Sequence, residues 1–357
     1  MTKEIKAGFS PDIAIPPGET LQEHLDSIVM NQVELAKRTG LTAKMINDII
    51  KGKAPLTPET ALKLESVFGT PASFWNNLES NYQETRARLQ AAVDIDKETP
   101  IAALIPYPEL ARRGFVRPTN KLPEKVFHLR QFFGVASLGY IPATLPAAFK
   151  KPNKASSSPY ALGAWIRMGE LMAGDIETQP FNEKRLKENM AAFRALTMEE
   201  EGNFESQLED LCASCGIALV VVPHLPKTNA HGVTKWLQPG KAMLQLSTRY
   251  KFADDFWFSF FHELGHILMH SKKTVFAETG AKTKEEAEAD QFACDCMIPG
   301  AKYRAFITKN RFTRESIMKF ANKVGIDPGV VAGRLHKDRK IGKNEFQDLQ
   351  RKINLPM

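Results

Sequence analysis

The chain lacks what would carry it into or across a membrane. No run of its 357 residues reaches the ~18 apolar positions of a membrane span. The opening stretch MTKEIKAGFSPDIAIPPG has no apolar signal-peptide core. The expectation is a cytoplasmic protein with no membrane partner. Cysteine is scarce, with Cys212, Cys215, Cys294 and Cys296 forming a C-x-x-C and a C-x-C. Neither pair is backed by a second pair at zinc-ribbon spacing, and Cys212 and Cys215 fall inside an amphipathic pattern from Phe204 to Gly216. They therefore read as buried free thiols rather than metal or redox ligands. Charge of one sign is not abundant either: the formal net charge is +7, and 43% apolar with 25% charged residues is ordinary for soluble globular chains. The length suggests two or three domains.

The small surplus of positive charge is unevenly placed. Between Ile101 and Lys154 stand Arg112, Arg113, Arg117, Lys121, Lys125, Arg130, Lys150, Lys151 and Lys154, against only Glu109 and Glu124. Such a segment suits an acidic partner or a nucleic-acid backbone. Its many prolines equally suit a solvated, linker-rich surface.

What is present centres on FWFSFFHELGHILMH, Phe256 to His270. Histidines four apart on a helix share a face, so His262 and His266 can converge on one Zn²⁺ while Glu263 serves as the general base. A helix with two surface histidines is the bland alternative. The flanking Phe256, Trp257, Phe258, Phe260, Phe261, Leu264, Ile267, Leu268 and Met269 leave no polar face, so the helix is expected to be buried, and buried histidines need partners.

A third ligand is available in EEAEADQFACDCMIP, Glu285 to Pro299, a second helical stretch. Glu286 and Asp290 stand four apart on one face, so Glu286 can complete the ligand set and Asp290 can orient a ligand histidine. Glu288 lies about 200° around the helix from Glu286 and is expected to play no part at the metal. HELGH followed by E-x-x-A-D-x-F-A and a proline resembles the ImmA/IrrE family of zinc metallo-endopeptidases. The resemblance implies a zinc peptidase acting on a protein substrate, with Glu286 at the position of the family's fixed glutamate.

Residues Pro16 to Leu89 read as five helices. Gly18 to Val29 carries apolar Leu21, Leu25, Ile28 and Val29. Asn31 and Gln32 open a second helix, Val33 to Thr39; Gly40 breaks it, and Thr42 caps a third, Ala43 to Ile50. This is a helix-turn-helix pattern, with Leu35, Ala36, Leu41, Ile46 and Ile49 inside. Thr42, Lys44 and Asn47 are the candidate groove contacts, and Lys37, Arg38, Lys51 and Lys53 the candidate phosphate contacts. The motifs IPPGETLQEHL, G-K-x-P-L-T-P-E-T-A-L-K-L and F-W-x-N-L resemble the HigA-type antitoxin domain, of the Xre/Cro-like class. That resemblance implies a homodimer on palindromic operator DNA and a toxin partner.

Between the two ends HLRQFFGV and YALGAWIRMGEL read as amphipathic helices, and Ser156 to Pro159 as a bend. GIALVVVPHLP and KAMLQLSTRY read as strands of a small sheet. His231 and Tyr250, near that sheet, are candidate oxyanion stabilisers, although a loop histidine and a strand-end tyrosine are more often simply packed or solvated. Helices follow at Arg314 to Val324 and Pro328 to His336, and the last twenty residues read as a polar end helix. The expected fold is mainly α and multidomain. Residues 1–92 form a helix-turn-helix bundle, 93–203 a helical linking region, and 204–357 an α+β zincin-like peptidase with a small sheet. The expected function is an operator-binding regulator of toxin–antitoxin type fused to a zinc endopeptidase. The rival is a non-catalytic antitoxin whose peptidase fold only holds a partner or ligand.

Overall fold

The computed structural model describes residues 13–145, 158–199, 204–272, 274–277, 283–309, 311–342 and 344–353. Lys150, Lys151 and Lys154 of the basic segment, and Ser156 and Ser157 of the expected bend, lie outside them. The chain divides into two units, Met1–Thr99 and Pro100–Met357.

The first unit holds α1 (Pro17–Ser27), α2 (Gln32–Thr39), α3 (Ala43–Ile50), α4 (Pro58–Phe68) and most of α5 (Ala72–Ala102). Local chemistry sets these bounds. The Asn31 side chain accepts from the Glu34 backbone N–H at 2.8 Å and the Thr42 hydroxyl from that of Met45 at 3.1 Å. Gly40, at φ +71°, ends α2 in the left-handed conformation that glycine adopts without strain. Leu21, Leu25, Leu35, Ile46, Ile49, Leu64 and Trp75 form the core. The first helix stops two residues short of the expected end. The Met30 N–H reaches the Leu25 carbonyl (2.9 Å) and the Val29 N–H that of Asp26 (3.2 Å), a Schellman closure. Val29 therefore sits at φ +56° and is 95% exposed, and Ile28 is exposed too, so neither joins the apolar face assigned to it.

Gly18 fixes the approach of α1 to α3. A Cβ there would overlap the Ile49 carbonyl oxygen and the Ile50 Cα, both backbone atoms with no rotamer to yield. Gly18→Ala is expected to destabilise this unit by about 1–3 kcal/mol, as overpacking does. Urea unfolding of the full chain, followed by Trp75 fluorescence, is the check, and an unchanged midpoint refutes it.

The second unit contains α6 (Tyr107–Arg112), α7 (Leu122–Phe133), α8 (Ile141–Thr144), α9 (Pro159–Asp175), α10 (Glu183–Glu188), α11 (Met190–Leu196) and α12 (Glu205–Ser214). The sheet follows, β1 (Ile217–Val222), β2 (Gly232–Gln238) and β3 (Lys241–Ser247), then α13 (Ala253–Met269), β4 (Phe276–Ala277), α14 (Lys284–Met297), α15 (Gly300–Ile307), α16 (Arg314–Val324) and α17 (Pro328–Lys337). The architecture is thus mainly helical with one small mixed sheet. Its order is β1-β3-β2-β4, with β1 parallel to β3 and the other pairs antiparallel. β3 is buried along its whole length, so its sequence is not the clean alternation of a half-exposed strand.

Helix α9, from the stretch drawn as a linking region, packs on this sheet. The Trp165 indole N–H donates to the Val222 carbonyl (3.2 Å), and the Gln245 amide donates to the Trp165 carbonyl (2.9 Å). The tail is not the expected end helix. Its described part holds a 3₁₀ turn at Gln347–Leu349, and its backbone pairs with the entry to α13: Ala253 N–H to Arg351 carbonyl (2.9 Å) and Ile353 N–H to Lys251 carbonyl (3.2 Å). Those peptide groups are committed to an extended pairing and cannot also close helical turns.

Candidate functional site

Helix α13 is buried along most of its length, with Phe256, Trp257, Phe260, Phe261 and Leu264 in the main core and only Asp255 and Met269 exposed. It meets α14 at a close crossing, where a Cβ on Gly265 would stand 3.3 Å from the Ala289 Cα and 3.1 Å from Phe292. That approach brings α14 carboxylates to α13 histidines. The Nε2 atoms of His262 and His266 lie 3.0 Å apart, and Glu286 Oε2 is 3.2 Å from the first while its Oε1 is 3.7 Å from the second.

Donors held at ~2.05 Å around a tetrahedral centre are about 3.3 Å apart, so this triangle suits a zinc ion. The outer nitrogen of His262 supports the same reading. Its Nδ1 is 3.0 Å from Asp290 Oδ1, and an ionised carboxylate can only accept, so Nδ1 carries the proton and Nε2 presents a lone pair. Burial, then repulsion from His262 and His270, pushes His266 down to about 3, leaving it neutral as a ligand must be. Burial opposes the charge of Asp290, but the His262 hydrogen bond and Lys337, 3.8 Å away, outweigh it and hold the carboxyl below its ordinary value.

Glu263 is fully buried between α13 and β2. The Thr234 hydroxyl donates to its Oε2 at 2.6 Å, and Gly232 leaves the space its carboxylate fills, since a Cβ there would overlap it. Tyr250 is buried and donates to the His231 backbone carbonyl at 2.6 Å, while the His231 residue itself is exposed. The Tyr250 proton thus secures the loop entering β2.

The cluster also holds His270, which was not singled out from the sequence, and Glu288, which was expected to play no part at the metal. His270 Nδ1 lies 2.9 Å from His266 Nδ1, and His270 Nε2 lies 3.1 Å from Glu288 Oε2. The signal was available, because His270 is again four residues on along the same face. Glu288 does face away from the ligand atoms, yet it reaches the site through His270.

In the first unit Thr42, Lys44, Lys51, Lys37, Arg38 and Lys53 are exposed, and Asn47 is half-buried. Arg38 pairs with Glu34 at 2.9 Å, an exposed pair that constrains it little.

Comparison with known proteins divides along the same line. Residues 217–336, from the start of β1 almost to the end of α17, match the Peptidase M78 family model, an IrrE N-terminal-like domain. Residues 30–75 match a helix-turn-helix model. The uncharacterised HTH-type transcriptional regulator YddM of Escherichia coli is 32% identical over 81 residues, 23% of this chain and 84% of YddM. Virulence-associated protein I of Dichelobacter nodosus is 35% identical over 79 residues, 22% of this chain and 73% of that protein. Among solved structures, an addiction module antidote protein of the HigA family from Coxiella burnetii is 35% identical, covering 24% of this chain and 94% of that one, with a TM-score of 0.23. The Pseudomonas aeruginosa antitoxin HigA, solved with the higBA promoter, is 31% identical over 24% of this chain and 95% of its own, also with a TM-score of 0.23.

Proposed function

Because this chain belongs to the Xre-type helix-turn-helix family and carries an IrrE N-terminal-like peptidase domain, we propose that it is an operator-binding regulator with a zinc-dependent endopeptidase that acts on a protein partner, a repressor or toxin of the same circuit. The observation that carries the catalytic half is the convergence of His262, His266 and Glu286, whose donor atoms lie within 4.8 Å of one another. A zinc ion bound there supplies a Lewis acid for water activation and for the scissile carbonyl. His262, His266 and Glu286 hold the ion. Glu263, oriented by Thr234, takes the proton from the attacking water and returns it to the departing amine. Metal analysis of the purified chain is expected to give about one zinc per molecule. Co-expression with the product of the adjoining gene is expected to show that product cleaved. A metal-free chain, or an intact neighbour beside a zinc-loaded one, argues against the enzyme.

For the first unit the proposal is a homodimer on a palindromic operator, with the N-terminal end of α3 in the major groove. The Thr42 hydroxyl accepts the Met45 N–H and so fixes where that end begins. Asn47 is of the type that reads adenine edges, and Lys44 and Lys51 lie beside it on the exposed side. Asn47→Ala is expected to cost ~1–3 kcal/mol, concentrated at one base position, whereas Lys51→Ala is expected to weaken all sequences alike and to shallow the salt dependence. Mobility shifts on the upstream region at several salt concentrations separate the two. Equal losses on operator and random DNA for Asn47→Ala count against the assigned groove contact.

A further inference from the structure

We infer that His270 and Glu288 form a relay that positions His266 as a metal ligand: Glu288 orients His270, and His270 orients His266. The inference rests on the zinc reading above. It follows from hydrogen-bond polarity carried inward one atom at a time. Glu288 Oε2 is 3.1 Å from His270 Nε2, and a carboxylate offers no proton, so His270 Nε2 is the donor. In a neutral imidazole the other nitrogen, Nδ1, is then bare. That bare nitrogen is 2.9 Å from His266 Nδ1, which must therefore carry the proton. His266 Nε2 is left with its lone pair, and it is this atom that faces His262 Nε2 and Glu286. The reverse polarity would protonate His266 Nε2 and abolish it as a ligand.

Packing holds the relay in register. The His266 and His270 side chains are nearly inaccessible, and the Phe276 ring of β4 stacks on His266 at 4.3 Å and 14°, with His270 at 5.1 Å. His270 also closes the end of α13, its backbone N–H on the His266 carbonyl at 3.2 Å, which fixes the spacing of the two rings. Glu288 is anchored in turn by Lys284 at 3.4 Å. The two ligand histidines are thus braced by one helix in two ways. Asp290 meets His262 directly, and Glu288, placed too far around α14 to touch a ligand, meets His266 through an inserted imidazole. The run Glu286, Glu288, Asp290 reads as one ligand followed by two braces.

Zinc affinity of the full chain, measured by competition with a chelator, tests this without any substrate. His270→Leu is expected to weaken binding by ~10–100-fold, the loss typical of an outer hydrogen-bond partner. His270→Asn, whose amide oxygen stands near the Nδ1 position and can accept from His266, is expected to recover most of that loss. Glu288→Ala, at a side chain 44% exposed where folding is not at stake, is expected to weaken binding several-fold in the wild-type background and to change nothing once His270 is Leu. Wild-type affinity in both His270→Leu and Glu288→Ala overturns the relay. So does a His270→Asn chain that binds no better than His270→Leu, which leaves packing alone, or a Glu288 effect that persists without His270. A wild-type chain that binds no zinc overturns the metal reading, and the relay with it.

Discussion

Glu263→Gln is expected to bind zinc as tightly as the wild type and to lose cleavage of the partner protein by ~10²–10⁴-fold, the range that a positioned acid–base group contributes. The ligands His262, His266 and Glu286 are untouched by the change, and glutamine has the same shape in a fully buried site. It can still accept the Thr234 hydroxyl, so the contact between α13 and β2 survives. What it cannot do is take a proton from water. Gly232→Ala gives an independent reading of the same carboxylate, because its Cβ would displace Glu263 without removing it. Zinc content and partner cleavage, measured together on both variants, decide the matter. If the wild type and Glu263→Gln both hold zinc and neither cleaves any candidate, the chain is the non-catalytic binding protein that forms the rival reading.

Local chemistry made some elements legible and hid others. The bounds of α3 are those that the sequence marks, because Thr42 caps one end and the apolar spacing of Ile46 and Ile49 is purely helical. The convergence of His262, His266 and Glu286 is legible for a related reason: two helices with marked faces leave few ways to bring their polar groups together. Strand β2 was not legible. Thr234, Lys235 and Gln238 break any apolar pattern, and the strand is a strand because β3 pairs with it and because Thr234 turns inward to Glu263. His270 looked like the end of an apolar run, and its role appears only when α14 places Glu288 beside it. The packing of α9 on the sheet depends on Trp165 and Val222, 57 residues apart, a separation that no local period encodes. The tail fails as a helix for the same reason, since its backbone partners lie a hundred residues earlier in the chain.

Asp254→Asn is expected to stabilise the second unit at pH 8 and to destabilise it by ~1–2 kcal/mol at pH 4, where the wild-type carboxyl is already neutral. Asp254 opens α13 but is buried beneath α17, where Gly333 leaves it room and Gln350 donates to Oδ2 at 2.7 Å. Oδ1 is buried with no hydrogen-bond partner among the described residues. Burial first, and then repulsion from Asp255, pushes the carboxyl up to about 7. The sign follows from proton counting. Between about pH 4, where the unfolded carboxyl titrates, and about pH 7, the folded state holds a proton that the unfolded state has lost, so stability falls as pH rises through that window. Above it the charged carboxylate sits buried at a constant cost of at most about 4 kcal/mol. An asparagine keeps the acceptor for Gln350 and carries no charge, but it leaves an amide N–H where Oδ1 has no partner, which takes back ~1–2 kcal/mol. The net gain at pH 8 is therefore of the order of 2 kcal/mol. Asp255 and Asp327 are also raised by burial, so the variant should retain a shallower slope of the same sign rather than none. Urea unfolding at pH 4, 6 and 8, followed through the Trp165, Trp236 and Trp257 fluorescence of this unit, measures it. A variant less stable than the wild type at pH 8, or one whose stability falls with pH as steeply, would mean that Asp254 is already neutralised by a partner in the folded chain.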